Sequence, residues 1–284
     1  MNKIALVTDT DASLPDELVK QYGIHIVPIN IHFSDEAFES GIDIDDDALF
    51  ERIDREGKLP TTSAPSPKRF ANAYQEAFDK GAESVLCFTV SSVISSTFNS
   101  AVTAREQFPD KDITVVDTLN LSMSQGFMVL EAAKAIEEGA AKEEVLSRAK
   151  DVGDRVFLFG ALSTLKYLSM SGRVGKIAAG MAGLLDIKPV LTSVDGKLDM
   201  LEKVRTRKKA WARTIELAIN ELDGRTIDQI SFFHVACRDE LEEFKKEFLK
   251  QVPDVDNIII TCISPGLSVH SGSGLVGLSI VPGK

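Results

Sequence analysis

The chain has 284 residues with 32 basic against 43 acidic side chains, a formal charge of -11 that disfavours a general nucleic-acid binder. A hydrophobic content of 44% supports a substantial core, as one full-sized α/β domain or two smaller ones sharing a cleft, and argues against disorder. No apolar run approaches the roughly 18 residues of a membrane span, so no transmembrane segment is expected.

The opening MNKIALVTDTDAS reads as a buried first strand (residues 3–8) ended by a polar run, not as a signal peptide. Residues 14–22 have helical spacing, with Ser13 as cap and Pro15 in the first turn. Residues 25–33 alternate around IVPINI and predict a second strand with an edge or bulge at Pro28, placing His25 and His32 on opposite faces. Asp45 or Asp46 caps a helix through Ile53 that Gly57 ends. LPTTSAPSPKRF then forms a polar loop feeding a helix over 67–79, with Ser66 as cap and Pro67 as its first residue. Strands over 84–90 and 112–117 alternate with helices to 107 and over 122–138. This alternation predicts a mostly parallel sheet whose ligand edge lies at the carboxyl ends of its strands.

The second half has a different texture. A helix over 141–152 and a strand over 155–161 precede a glycine-rich block with Gly172, Gly175, Gly180 and Gly183. Arg173 stands between two of these glycines, where a turn could aim its guanidinium. Residues 188–204 predict two strands across the hairpin signal Asp195-Gly196. A helix over 206–222 carries Trp211, read as a packing anchor. Strands over 229–236, 257–262 and 275–281, with a helix over 239–250, complete a mixed or antiparallel α+β unit. The expected division is 1–154 and 155–284. The three cysteines, Cys87, Cys237 and Cys262, are widely spaced in β-like contexts and read as buried thiols of a reducing, cytoplasmic compartment.

Several patterns bear on chemistry. Thr8-Asp9-Thr10-Asp11 after the first strand has the spacing of an aspartate nucleophile and general acid, but equally that of an ordinary turn. No phosphate-binding glycine loop, dinucleotide fingerprint or zinc pattern is present, so neither metal nor cofactor is expected. His234 sits inside an apolar strand and reads as a satisfied or edge histidine, whereas His270, in a loop of small residues, can meet a ligand. Thr61-Thr62-Ser63 and Ser95-Ser96-Thr97 place hydroxyls in loops leading into helices, where hydroxyls and backbone donors can hold an anionic head group. No sequence feature fixes a base beside these serines, so they read as binding donors before nucleophiles. A late cationic cluster, Lys203, Arg205 and Arg207, shares one parity and hence one face wherever the strand extends that far.

Taken together, VTDTDASLP, TTSAPSPKRF, ISSTFNSA, LKYLSMSGRVG, LLDIKPVLTSVDGKL, KVRTRKKA and SPGLSVHSGSG resemble, in order and over essentially the whole chain, the motifs of the DegV family of fatty-acid-binding proteins. The resemblance implies a two-domain α/β fold with a long-chain fatty acid buried between the domains in an apolar tunnel. It implies that Thr62 and Ser95 contact the carboxylate, with Ser63 and Ser96 nearby and Arg173 and His270 in the same polar network. It further implies an acyl-carrying, non-catalytic subunit of a bacterial fatty acid kinase. A separate ATP-dependent subunit phosphorylates the carboxylate, and the acyl phosphate passes to phospholipid synthesis. Such a carrier would make transient membrane contact for lipid exchange, and Lys203, Arg205 and Arg207 would face the kinase partner. Three positions depart from the family pattern: Ser96 and Ser171 stand where glycines are usual, and Ser273 where proline is. The competing expectation is a stand-alone hydrolase, an aspartyl phosphatase or serine acyl-hydrolase.

Overall fold

The computed structural model describes residues 3–171, 187–253 and 255–284. In chain order the N-terminal half runs β1 (Ile4–Asp9), α1 (Asp16–Tyr22), β2 (His25–Val27), β3 (Asn30–Phe33), β4 (Glu36–Glu39), α2 (Asp46–Glu56), β5 (Thr61–Ser63), α3 (Pro67–Asp79), β6 (Ser84–Thr89), α4 (Thr97–Arg105), β7 (Asp112–Asp117), α5 (Met123–Glu137) and α6 (Lys142–Arg155). The C-terminal half continues β8 (Phe157–Ala161), α7 (Lys166–Ser171), β9 (Lys188–Val194), β10 (Lys197–Val204), α8 (Arg207–Leu222), β11 (Ile227–His234), α9 (Arg238–Leu249), β12 (Ile258–Cys262), α10 (Pro265–Ser271) and β13 (Val276–Pro282).

The alternating strands and helices of the first half build a parallel sheet of order β2-β1-β6-β7. Its central strands are apolar on both parities because both faces are covered. Leu6, Leu86 and Phe88 face the helices α5 and α6, while Val7, Val85 and Cys87 face α3 and α4. The second half forms a mixed sheet of order β10-β9-β8-β13-β11-β12, parallel only between β11 and β12. Helices α8 and α9 cover one face through Trp211, Phe244 and Phe248. Trp211 is an anchor as expected, edge-on to Phe244. The other face packs Leu158, Leu191 and Phe233 against Ile31, Phe33, Leu49 and Phe50 of the first half.

Several local expectations change. Residues 25–33 form two strands in different sheets, because the chain breaks at Pro28 between β2 and β3; the opposite-parity argument for His25 and His32 therefore does not apply. Thr61, Thr62 and Ser63 are not loop but a strand, β5, in a small antiparallel sheet of order β4-β3-β5. Ser13 adopts a left-handed conformation (φ 52°) closing a short turn, and Pro15 occupies the cap position of α1. The expected loop around His270 is the helix α10, started by Pro265. Of the cysteines only Cys87 is buried; Cys237 is half-buried and Cys262 exposed. β10 ends at Val204, so Lys203, Arg205 and Arg207 do not share one strand face. The glycine-rich block with Arg173 lies outside the described residues.

The inner face of the six-stranded sheet has a trough. Phe233, Gly277, Gly160 and Leu191 are paired neighbours across four adjacent strands. A β-carbon on Gly277 would lie 2.4 Å from the Phe233 ring and 2.5 Å from the Phe159 carbonyl oxygen, so the ring can come this close to the strand only because Gly277 has no side chain. At Gly160 the one tight neighbour of a β-carbon would be Leu275, at 3.1 Å, with Phe233 and the Val276 carbonyl at ordinary contact distance, and a leucine tip can yield. Gly277→Ala is therefore expected to destabilise the fold by about 1–3 kcal/mol, the usual cost of overpacking. Gly160→Ala should cost less, and urea unfolding of the two variants checks the order.

Candidate functional site

A polar cleft of about 620 Å³ opens where the loop after β6, the strand β5 and the helix α10 converge. Thr62, Ser63, Ser95, Ser96 and His270 all line it, with Asp11 beside Gly266. A link across it joins Thr62 Oγ1 to His270 Nε2 at 3.0 Å, residues 208 positions apart in sequence. Ser63 Oγ meets His32 Nε2 at 2.8 Å, and Asn30 Nδ2 donates to the Ala64 carbonyl at 3.2 Å, fixing the end of β5. Ser95 Oγ bonds Thr97 Oγ1 at 2.7 Å and accepts from the Thr97 N–H at 3.3 Å, the first residue of α4. Ser96 stands at the cap position of α4 without a side-chain capping bond. The Asp195-Gly196 turn, both residues at positive φ as a tight hairpin demands, reaches this loop: Ser91 Oγ donates to the Gly196 carbonyl at 2.8 Å. Arg173 lies outside the described residues.

Helix α10 presents His270, and its seat is polar. Ser264 Oγ donates to Asp11 Oδ1 (2.7 Å), and the Ser264 N–H donates to Ser13 Oγ (3.1 Å). The Gly266 N–H donates to Ser40 Oγ (2.9 Å), and Ser268 Oγ donates to Asp46 Oδ1 (2.5 Å). Gly266 is required here, since a β-carbon would lie 2.6 Å from Asp11 Oδ1. Past α10, Gly272 at φ 81° lets the Tyr167 ring of α7 pack on the backbone. Of the family departures, Ser171 Oγ donates to the Leu168 carbonyl within α7, and Ser273 supplies a carbonyl to Ser163 Oγ. Neither contact involves the cleft.

Behind the cleft is an apolar cavity of about 60 Å³ walled by leucines, Phe233 and Gly160, the floor of the trough. The two spaces share Ile94, Leu267 and His270. Ser122 also lines the cavity; it is fully buried, and its hydroxyl has no hydrogen-bond partner among the described residues.

Sequence reading did not single out Asp11 as an interface acceptor, nor Ser13, Ser40, Asp46 or Ser122. Asp9 is fully buried and accepts from the Asp11 N–H (3.0 Å) and the Val90 N–H (2.8 Å). Its carboxyl is committed to backbone donors that tie the end of β1 to the end of β6. Of the cationic cluster, Lys203 and Arg205 are exposed, whereas Arg207 pairs with Glu240 and lies over the Trp211 ring. Among the described residues, no group of three or more His, Cys, Asp or Glu could hold a metal, and no helix is long and apolar enough to cross a membrane.

A family model described as an uncharacterised protein of the DegV family matches residues 3–283. The chain belongs to the DegV family. A DegV domain-containing protein of Caldanaerobacter subterraneus is 31% identical over 278 residues, covering 98% of each chain. A DegV family protein from Thermus thermophilus, described as fatty acid binding, superposes with a TM-score of 0.92 at 31% identity, covering 99% of each chain. A stearic acid-binding protein from Eubacterium ventriosum superposes with a TM-score of 0.88 at 27% identity, over 99% of this chain and 98% of that one. The α/β architecture, with its parallel N-terminal and mixed C-terminal sheets, is that of DegV structures.

The acidic seat of α10 makes stability depend on pH. Burial raises the Asp46 carboxyl from 3.8 to about 7; the Ser268 hydroxyl opposes this, and Asp47 and Asp45 add to it. Asp11 is raised by burial and then by neighbouring Asp9, against the pull of Ser264. Because the folded carboxyl holds its proton longer than the unfolded one, Asp46 contributes stability below about pH 4 that is lost as pH rises through about 7. Asp46→Asn should flatten part of that decline. Urea midpoints of both proteins at pH 5 and pH 8 check this: the difference between them should change with pH in favour of the variant on the alkaline side.

Proposed function

We propose that this DegV-family chain binds a long-chain fatty acid, its tail in the apolar cavity and its carboxylate in the polar cleft, and presents that carboxylate to a separate ATP-dependent kinase subunit for acyl phosphate formation. The observation that carries the binding half is the sharing of Ile94, Leu267 and His270 by a polar cleft and an apolar cavity, a layout suited to one amphipathic ligand. The fatty-acid binding described for the Thermus and Eubacterium proteins supports it. About 14 buried methylenes at roughly 0.8 kcal/mol each would supply on the order of 11 kcal/mol before association costs. A cavity of about 60 Å³ is smaller than such a tail, so loading would shift the leucines that line it, Leu267 and Leu275 among them. The domain division at 154/155 belongs to the same reading, with the ligand lying between the two parts.

Thr62 and Ser95 would donate to the carboxylate, with Ser63 and Ser96 beside them. Arg173 and His270 would stabilise the charge that grows on the head group during phosphoryl transfer. Gentle denaturation and mass spectrometry should release one fatty acid per chain; fully folded protein that takes up no long-chain fatty acid would end the reading. Ser95→Ala should weaken fatty-acid binding by roughly 1–3 kcal/mol, the loss of one donor to a charged group. Arg173→Ala and His270→Ala should instead depress partner-dependent acyl phosphate formation more than binding. Assaying all three variants for affinity and transfer checks the assignment. A robust hydrolytic turnover without any second protein, abolished by Asp9→Asn or Ser95→Ala, would favour the stand-alone hydrolase instead.

The kinase half rests on the family resemblance and on the exposed cations Lys203 and Arg205, with Arg207 at their edge. Arg205→Glu should reduce coupling to the kinase subunit, most clearly at low salt where attraction is least screened, with lipid content unchanged. Lipid loss with normal partner affinity would remove these cations from the partner surface.

A further inference from the structure

Ser122 combines three features that oppose folding. Its backbone lies at φ 52°, ψ -148°, a region that favours glycine. It occupies the cap position of α5 yet makes no capping bond. Its hydroxyl is fully buried without a partner among the described residues, in a cavity otherwise lined by apolar side chains apart from His270 and Ser271. An unpaired buried hydroxyl is unfavourable, and an alanine or glycine here would avoid it.

The position is well held. The Ser122 N–H donates to the Asp11 carbonyl at 2.8 Å, and the Ser122 carbonyl accepts from the Gly126 N–H at 3.0 Å. Asp11 lines the polar cleft, so this bond ties Ser122, on the cavity wall, to a residue of the cleft. A hydroxyl both donates and accepts, so it can pair with either a hydroxyl or a carbonyl oxygen.

Building on the fatty-acid reading, we propose that the site accepts long acyl chains bearing a hydroxyl or oxo group close to the carboxyl end, with Ser122 Oγ as the hydrogen-bond partner of that oxygen. A hydroxyl farther along the chain, past Ser122, would face the leucines that make up the rest of the cavity wall and find no such partner. The geometry thus favours oxygenation by position as well as by kind.

The test uses the full-length protein and four probes: octadecanoic acid and its α-hydroxy, β-hydroxy and mid-chain hydroxy derivatives. Wild-type protein should bind at least one of the α- and β-hydroxy acids as tightly as the parent acid, and the mid-chain isomer about tenfold more weakly. Ser122→Ala should lower affinity for the preferred hydroxy acid about tenfold more than affinity for the parent acid. Ser122→Gly removes the same hydroxyl while relaxing the backbone, so agreement between the two variants separates recognition from a folding defect. Equal losses for parent and hydroxy acids would make Ser122 a carboxylate donor and overturn the proposal, as would indifference of the wild type to hydroxyl position. If folded protein binds no acid at all, parent included, the fatty-acid reading itself has failed.

Discussion

Helix α10 is only seven residues long, too short to be stable alone, and the polar cleft depends on what holds it. Its first backbone donors are satisfied by hydroxyls from the other half of the chain, Ser13 and Ser40, in place of a cap of its own. Ser264, at the cap position, turns its hydroxyl outward to Asp11, and Ser268 does the same to Asp46. The helix is thus defined by its partner surface. His270, one turn farther on, inherits its position from these bonds and meets Thr62.

The acceptors in that seat are carboxyls in a protein already rich in negative charge. Burial resolves the conflict by favouring their neutral forms, Asp11 and Asp46 both being raised well above the usual carboxylate range. Asp11 also lines the cleft. A neutral Asp11 would leave an anionic head group unopposed there, whereas an ionised one would repel it. The packing that seats α10 and the electrostatics of the cleft are therefore one arrangement.

The sequence was most informative where local chemistry decides the outcome. The alternating strands and helices, the Asp195-Gly196 hairpin, the Pro67 helix start and the Gly57 stop all rest on neighbouring residues, and the structure has them. The hydroxyl clusters were visible as clusters, and Thr62, Ser95 and His270 line one cleft. What the sequence hid is non-local. No short-range pattern pairs Ser264 with Asp11 or Ser268 with Asp46 across more than 200 residues. The β5 strand is invisible in the sequence because three residues rich in hydroxyls carry no alternation, and their strand character comes from pairing with β3. Ser122 looks like an ordinary helix start, since nothing in the letters reveals a serine that declines to cap.

The glycine trough has a consequence for how such a protein diversifies. Its hollow comes from missing side chains on a regular sheet, not from a bent backbone or a rearranged loop. At Gly277 the backbone and the Phe233 ring already occupy the space, so that position is closed to change. Gly160 faces a leucine tip and can accept a methyl group for a small adjustment. Volume beneath the cleft can therefore be altered in single-carbon increments at a paired strand position, with hydrogen bonding and register left as they are. If the cavity holds an acyl tail as proposed, a lineage carrying this fold would have a graded dial for cargo size, mechanically separate from the polar groups of the cleft.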